Sequence, residues 1–163
     1  PETRQHYLRE SLGRSKERYA ALKQIFDAID RVIQDRDSPF YHALTNYLET
    51  VPGSLKATEN WIETDETLKN PATVAEMFDN TYSTRFYESL SLGMLRRLLD
   101  ENIVLGGDRA VLEKAKKTAD EMFETTIAFL EKHLRYHAIP IKDLVSVQML
   151  AGLNTMAVLQ QKE

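Results

Sequence analysis

Eight positions near the start of the chain follow one another at steps of four and three: Leu8, Leu12, Ser15, Tyr19, Leu22, Phe26, Ile29 and Ile33. Ser15 is the only small polar residue in the register. A 4-3 spacing held for more than three heptads places all eight on one narrow face of an α-helix. Such a helix cannot bury its stripe alone. It needs a long neighbour lying nearly parallel or antiparallel to it, which is bundle geometry and not oblique helix crossing. The spacing predicts a first helix from about residue 4 to residue 36.

The same reading extends along the chain. Ser38-Pro39 has the form of an N-cap followed by proline at the first helical position. It opens a short helix over 39–50 with Phe40, Leu44, Tyr47 and Leu48 on one side. Pro52-Gly53 is expected to break it, because an interior proline removes a backbone donor and clashes with the preceding turn. A second short helix over 54–68 should bury Leu55, Trp61 and Ile62. Asn70-Pro71 repeats the start signal and opens a long helix to residue 103. Its expected ridge is Val74, Phe78, Tyr82, Phe86, Leu90, Met94 and Leu98, widened by Leu95 and Leu99. Gly93 leaves room for a close neighbour. Gly106-Gly107 ends this helix, and Asp108 caps the next, expected over 108–137. The stripe of that helix is Leu112, Ala115, Ala119, Met122, Thr126, Phe129 or Leu130, His133 and His137. Pro140 stops it. A last helix over 141–160 is apolar almost all round. No alternating strand pattern competes. The expected fold is all-α: a bundle of four long helices at 4–36, 71–103, 108–137 and 141–160. Two short helices are inserted, at 39–50 and 54–68. A single domain, 1–163, holds them all.

Composition removes several kinds of chemistry. With no cysteine, the chain has no disulfide, thiolate nucleophile, iron–sulfur ligand or cysteine zinc site. A net charge of −4 argues against nucleic acid as a partner, since that affinity rests on phosphate neutralisation. The longest apolar segment, 144–159, carries Ser146, Gln148, Asn154 and Thr155 and is short for a membrane span, so no membrane partner is expected. The first residues lack the apolar core of a signal peptide, and the expected compartment is the cytoplasm. Charge is uneven along the chain. Residues 1–23 hold Arg4, Arg9, Arg14, Lys16, Arg18 and Lys23 against Glu2, Glu10 and Glu17. Residues 59–79 hold Glu59, Glu63, Asp65, Glu66, Glu76 and Asp79 against Lys69. These read either as complementary binding faces or as the solvated sides of amphipathic helices, and the second reading is preferred.

His133 and His137 stand four apart, on one helix face. Two imidazoles supply only part of the three or four ligands zinc requires. The protease motif has Glu after the first His, and here that position is Leu134. The Glu-x-x-His pairs of di-iron bundles occur nowhere in the chain. The pair therefore reads as the polar end of a packing stripe, near a helix C-terminus that favours a cation. No metal, haem or other cofactor is expected. No nucleophile elbow or phosphate loop is present.

The expected function is that of a non-enzymatic helical interaction or regulatory domain, homodimeric or bound to a protein partner. The interface would include part of 144–159, apolar on every side, or of the wide apolar half 90–103, with Met149, Leu153 and Met156 as candidate contacts. The alternative is a ligand-sensing bundle that holds a small apolar molecule between helices, its pocket lined by Tyr19, Tyr82, His133 and His137. A third class is a metal-dependent enzyme using the His133/His137 pair.

Overall fold

The structure is a computed structural model that describes residues 2–64, 71–133, 145, 148 and 149, with side chains at 6, 8–64, 84–132, 145, 148 and 149. Four helices run through them: α1 (Glu2–Asp30), α2 (Pro39–Ile62), α3 (Pro71–Val104) and α4 (Arg109–His133). No strand occurs among the described residues, and no helix there is long and apolar enough to cross a membrane. The helices form a ring. α1 packs on α2, α2 on α3, α3 on α4, and α4 back on α1, with little contact across the α1–α3 diagonal.

The heptad of α1 faces the centre of this ring. Tyr19 is half-buried and the other seven positions are buried. The helix itself stops at Asp30, earlier than the expected residue 36. There the guanidinium of Arg36 donates to the Asp30 carbonyl at 2.6 Å and to the Asp30 carboxylate at 3.0 Å, satisfying acceptors that a helix end leaves open. Ile33 remains in the core beyond the helix. The connection to α2 is held by the fully buried Asn102 of α3. Its Oδ1 accepts from the Gln34 amide at 2.8 Å, and its Nδ2 donates to the Leu98 carbonyl at 2.8 Å.

The two short helices expected at 39–50 and 54–68 are one helix. Ser38 caps it, its Oγ accepting from the Phe40 amide at 3.2 Å. α2 then continues through Pro52-Gly53 to Ile62. Pro52 has no N–H to give the Leu48 carbonyl one turn earlier. The Tyr19 hydroxyl of α1 donates to that carbonyl instead, at 2.7 Å. A packed neighbour supplies the missing donor, and the helix survives its proline. Pro39–Ile62 is thereby a full member of the ring and not an insertion.

Of the expected ridge of α3, Leu98 and the widening Leu95 and Leu99 are fully buried, the side chains of Val74, Phe78 and Tyr82 lie outside the described residues, and Phe86, Leu90 and Met94 differ from expectation. Residues spaced strictly by four drift round a helix of 3.6 residues per turn. Phe86, Leu90 and Met94 accordingly lie at the margin, half-buried, while Glu88, Leu92, Leu95, Leu99 and Asn102 face inward at steps of four and three. The turn after α3 is a Schellman motif. Gly106, at φ +84°, donates to the Ile103 carbonyl at 3.1 Å, and Gly107 donates to the Asn102 carbonyl at 3.0 Å. A Cβ on Gly107 would stand 2.9 Å from a Leu112 methyl and 3.1 Å from the Asn102 carbonyl oxygen. Val145, Gln148 and Met149 are helical, as expected within 141–160, and the rest of that span lies outside the described residues. Val145 and Met149 are buried against Gly93, whose missing Cβ would meet the Met149 sulfur at 3.4 Å.

Candidate ligand-binding cleft

Around Ser15 the interior of the bundle changes character. Ser15 is the polar member of the α1 heptad, and its Oγ accepts from Arg18 Nη2 at 3.0 Å. This holds the guanidinium so that Nε donates to Glu88 at 2.8 Å. Glu88 occupies the inward register of α3 where Leu92, Leu95 and Leu99 follow, and it is 8% exposed. A carboxylate thus stands where periodicity calls for a leucine.

The ring does not close over this pair. On one side lies a cavity of about 240 Å³ between α1, α3 and α4, with a floor of Leu22, Leu92 and Met122. Glu121 and Thr125 stand exposed at its mouth. On the other side lies a second cavity of about 290 Å³ between α1, α2 and α3, reaching Val51 and Leu55. Tyr19, Tyr47 and Glu88 border both and form the partition. Tyr19 is fixed there by its bond to the proline-freed Leu48 carbonyl. Arg85, one turn before Glu88, also lines the first cavity and lays its guanidinium over the Phe129 ring, 4.4 Å from the centroid.

Burial pushes the Glu88 carboxyl above the usual carboxylate range. The charge and hydrogen bond of Arg18, and then the charge of Arg85, pull it part of the way back. Burial, followed by the Glu88 charge, pushes the Tyr47 hydroxyl well above its ordinary value, while a hydrogen bond with Ser91 opposes them. The site therefore has two cations, one buried carboxylate and two phenols at one end, and an apolar floor at the other. A small number of convergent polar groups beside an apolar wall is the usual make-up of a small-molecule site.

Of the residues expected to line a pocket, Tyr19 lines both cavities. The side chains of Tyr82 and His133 and the whole of His137 lie outside the described residues. Of the expected interface residues, Met149 is buried against Gly93, and Leu153 and Met156 lie outside the described residues. Among the described residues no three His, Asp or Glu side chains gather as a metal site would need. Arg18, Tyr47, Arg85 and Glu88 were not expected. Their signal was present as polar residues next to or within an inward register, at Ser15–Arg18 and at Glu88. The two charged stretches meet each other. Arg9 forms a two-pronged pair with Glu63, both bonds at 2.7 Å, and Lys16 reaches Glu59 at 3.1 Å.

Comparison of the chain with family models, with curated proteins and with solved structures returns no match.

Proposed function

We propose that this chain is a non-catalytic helical binding module that holds a small, largely apolar molecule in the cleft between α1, α3 and α4. The observation that supports this reading is the 240 Å³ cavity beside the buried Arg18–Glu88 pair. A half-open cleft that joins a few fixed polar groups to an apolar floor has the usual make-up of a small-molecule site. Native mass spectrometry of the purified protein tests it. A mass increment per chain, lost on denaturation, is the expected result. Filling the floor with Met122→Trp should abolish it while circular dichroism stays helical. Unchanged ligand retention in that variant would remove this cleft as the site.

A second reading, a homodimeric interaction domain, has a different support. Val104 and Leu105 stand 85% and 52% exposed at the turn between α3 and α4. Closed two-fold dimers are the commonest assemblies, and an exposed apolar pair at a helix turn suits one. Light scattering coupled to size exclusion decides between them. A dimer that dissociates in Val104→Lys is the expected result of this reading, and a monomer at tens of micromolar would end it.

A further inference from the structure

The cleft reading says where a ligand sits. The charges around Glu88 go further and name its class. From α1, Arg18 bonds the carboxylate directly at 2.8 Å and Tyr19 stands beside it. From α2, Tyr47 shares the partition. From α3, Arg85 acts on the same carboxylate from one turn away. From α4, Glu121 is out at the mouth. The inner end thus holds the Arg18 guanidinium bonded to the Glu88 carboxylate, with the Arg85 guanidinium, seated over the Phe129 ring, lining the same cavity. An incoming cation would meet both guanidinium groups, whereas an incoming anion would find a planar double donor suited to it.

Size sets the rest. An apolar cavity of about 150 Å³ holds benzene, so the larger space here suits a body of roughly ten non-hydrogen atoms. We propose that the cleft takes a small amphipathic monocarboxylate, its acid group at Arg18 and Arg85 and its apolar body on Leu22, Leu92 and Met122. This rests on the cleft reading and deepens it. The ligand's carboxylate then stands beside that of Glu88, and a nearby like charge strengthens the hold of a carboxyl on its proton. Glu88, already held above the carboxylate range by burial, is the group that takes a proton from solvent as the ligand arrives.

Isothermal titration of the full chain with octanoate, 1-octanol and octylammonium tests the proposal. The three probes share one body and differ in head group. Octanoate should bind at least about tenfold tighter than octanol, as a hydrogen bond to a charged group implies, and octylammonium weakest of the three. Octanoate binding, repeated in two buffers of different ionisation enthalpy, should show net proton uptake. Glu88→Gln should abolish that uptake and tighten octanoate. The three-probe comparison in the unaltered protein stands whether or not the variant folds. If octanol binds as tightly as octanoate, the carboxylate proposal falls while the cleft reading survives. Tightest binding of octylammonium would make Glu88 the receptor and reverse the proposal. Proton uptake unchanged in Glu88→Gln would remove Glu88 from it. Failure of all three probes to bind would overturn the proposal and the cleft reading together.

Discussion

The turn-bearing end of the bundle and the level of the cleft are built by the same four helices to opposite designs. At the turn end α1 gives Ile29, α2 Leu44, α3 Leu98 and Leu99, and α4 Leu112, all fully buried. Its fully buried polar side chain, Asn102, has both amide atoms bonded. At the level of the cleft α1 gives Arg18 and Tyr19, α2 Tyr47, α3 Glu88, and α4 Met122, and an open space remains between them. Helical spacing turns a residue inward whatever its chemistry. Leucines draw the helices together until the space is full. A charged pair needs its partners and some room, and so holds them apart. The contrast teaches that one end supplies the stability that lets the other stay open.

The largest expected effect tests that division. Leu99→Ala should lower unfolding stability by about 2–5 kcal/mol, while Met122→Ala, beside existing space, should cost about 1 kcal/mol, both read by chemical denaturation. Equal losses would mean that the cleft is as tightly packed in solution as the turn end.

Next in size is the charged pair. Arg18→Met removes a charged hydrogen bond from a buried carboxylate and should cost about 2 kcal/mol near neutral pH. The cost should shrink on acidification, because protonated Glu88 needs no cation. Glu88→Gln should cost less than Arg18→Met, since it removes the charge whose burial is unfavourable. The pH dependence has a definite sign. The folded chain holds the Glu88 proton more strongly than the unfolded chain does. The contribution of Glu88 to stability is therefore fully favourable below the ordinary glutamate value of about 4.3. It declines as pH rises from there through the raised folded value, and is level above that. Thermal melts of wild type against Glu88→Gln should diverge over that window alone. Glu63 has the opposite sign. Arg9 lowers its carboxyl, so its contribution is present above the ordinary value and is lost as pH falls through the folded one.

Smaller again is a backbone effect. Gly53 is helical and exposed, with open space where a Cβ would go. Gly53→Ala should stabilise by about 0.5–1 kcal/mol, whereas Gly107→Ala, in the packed turn end, should destabilise. The smallest effect is expected at the surface. Arg9→Gln breaks a pair whose side chains are both half exposed and should leave the melting temperature within error at physiological salt.

Much of the fold was legible because periodicity survives translation into structure. The α1 heptad, the Ser38 cap, the Gly106-Gly107 turn and the close approach at Gly93 all stand where spacing placed them. Pro52 misled because a proline's local cost is read from its own helix, while its remedy came from Tyr19 on another. The ridge of α3 misled only at Phe86, Leu90 and Met94, because a step of four drifts round a helix of 3.6 residues per turn, while Leu95, Leu98 and Leu99 are fully buried as expected. The cleft was harder to see for a further reason. Its signal lies in the residues that break the apolar pattern, Ser15 in one stripe and Glu88 in another. Only their meeting in space, through Arg18, distinguishes a built site from two isolated polar exceptions.

The bond from Tyr19 to the Leu48 carbonyl has a consequence for the history of such a chain. Proline at 52 is tolerable only where a donor already stands at 19, and phenylalanine at 19 is harmless only where 52 still has its own N–H. The two substitutions are therefore conditional on each other, and the order in which a lineage acquires them matters. Descent through tyrosine first is open, while descent through proline first passes through an unsatisfied carbonyl. Tyr19→Phe should then be damaging in this background and close to silent beside Pro52→Ala. Among relatives, a proline in the middle of the second helix should travel with a tyrosine on the first.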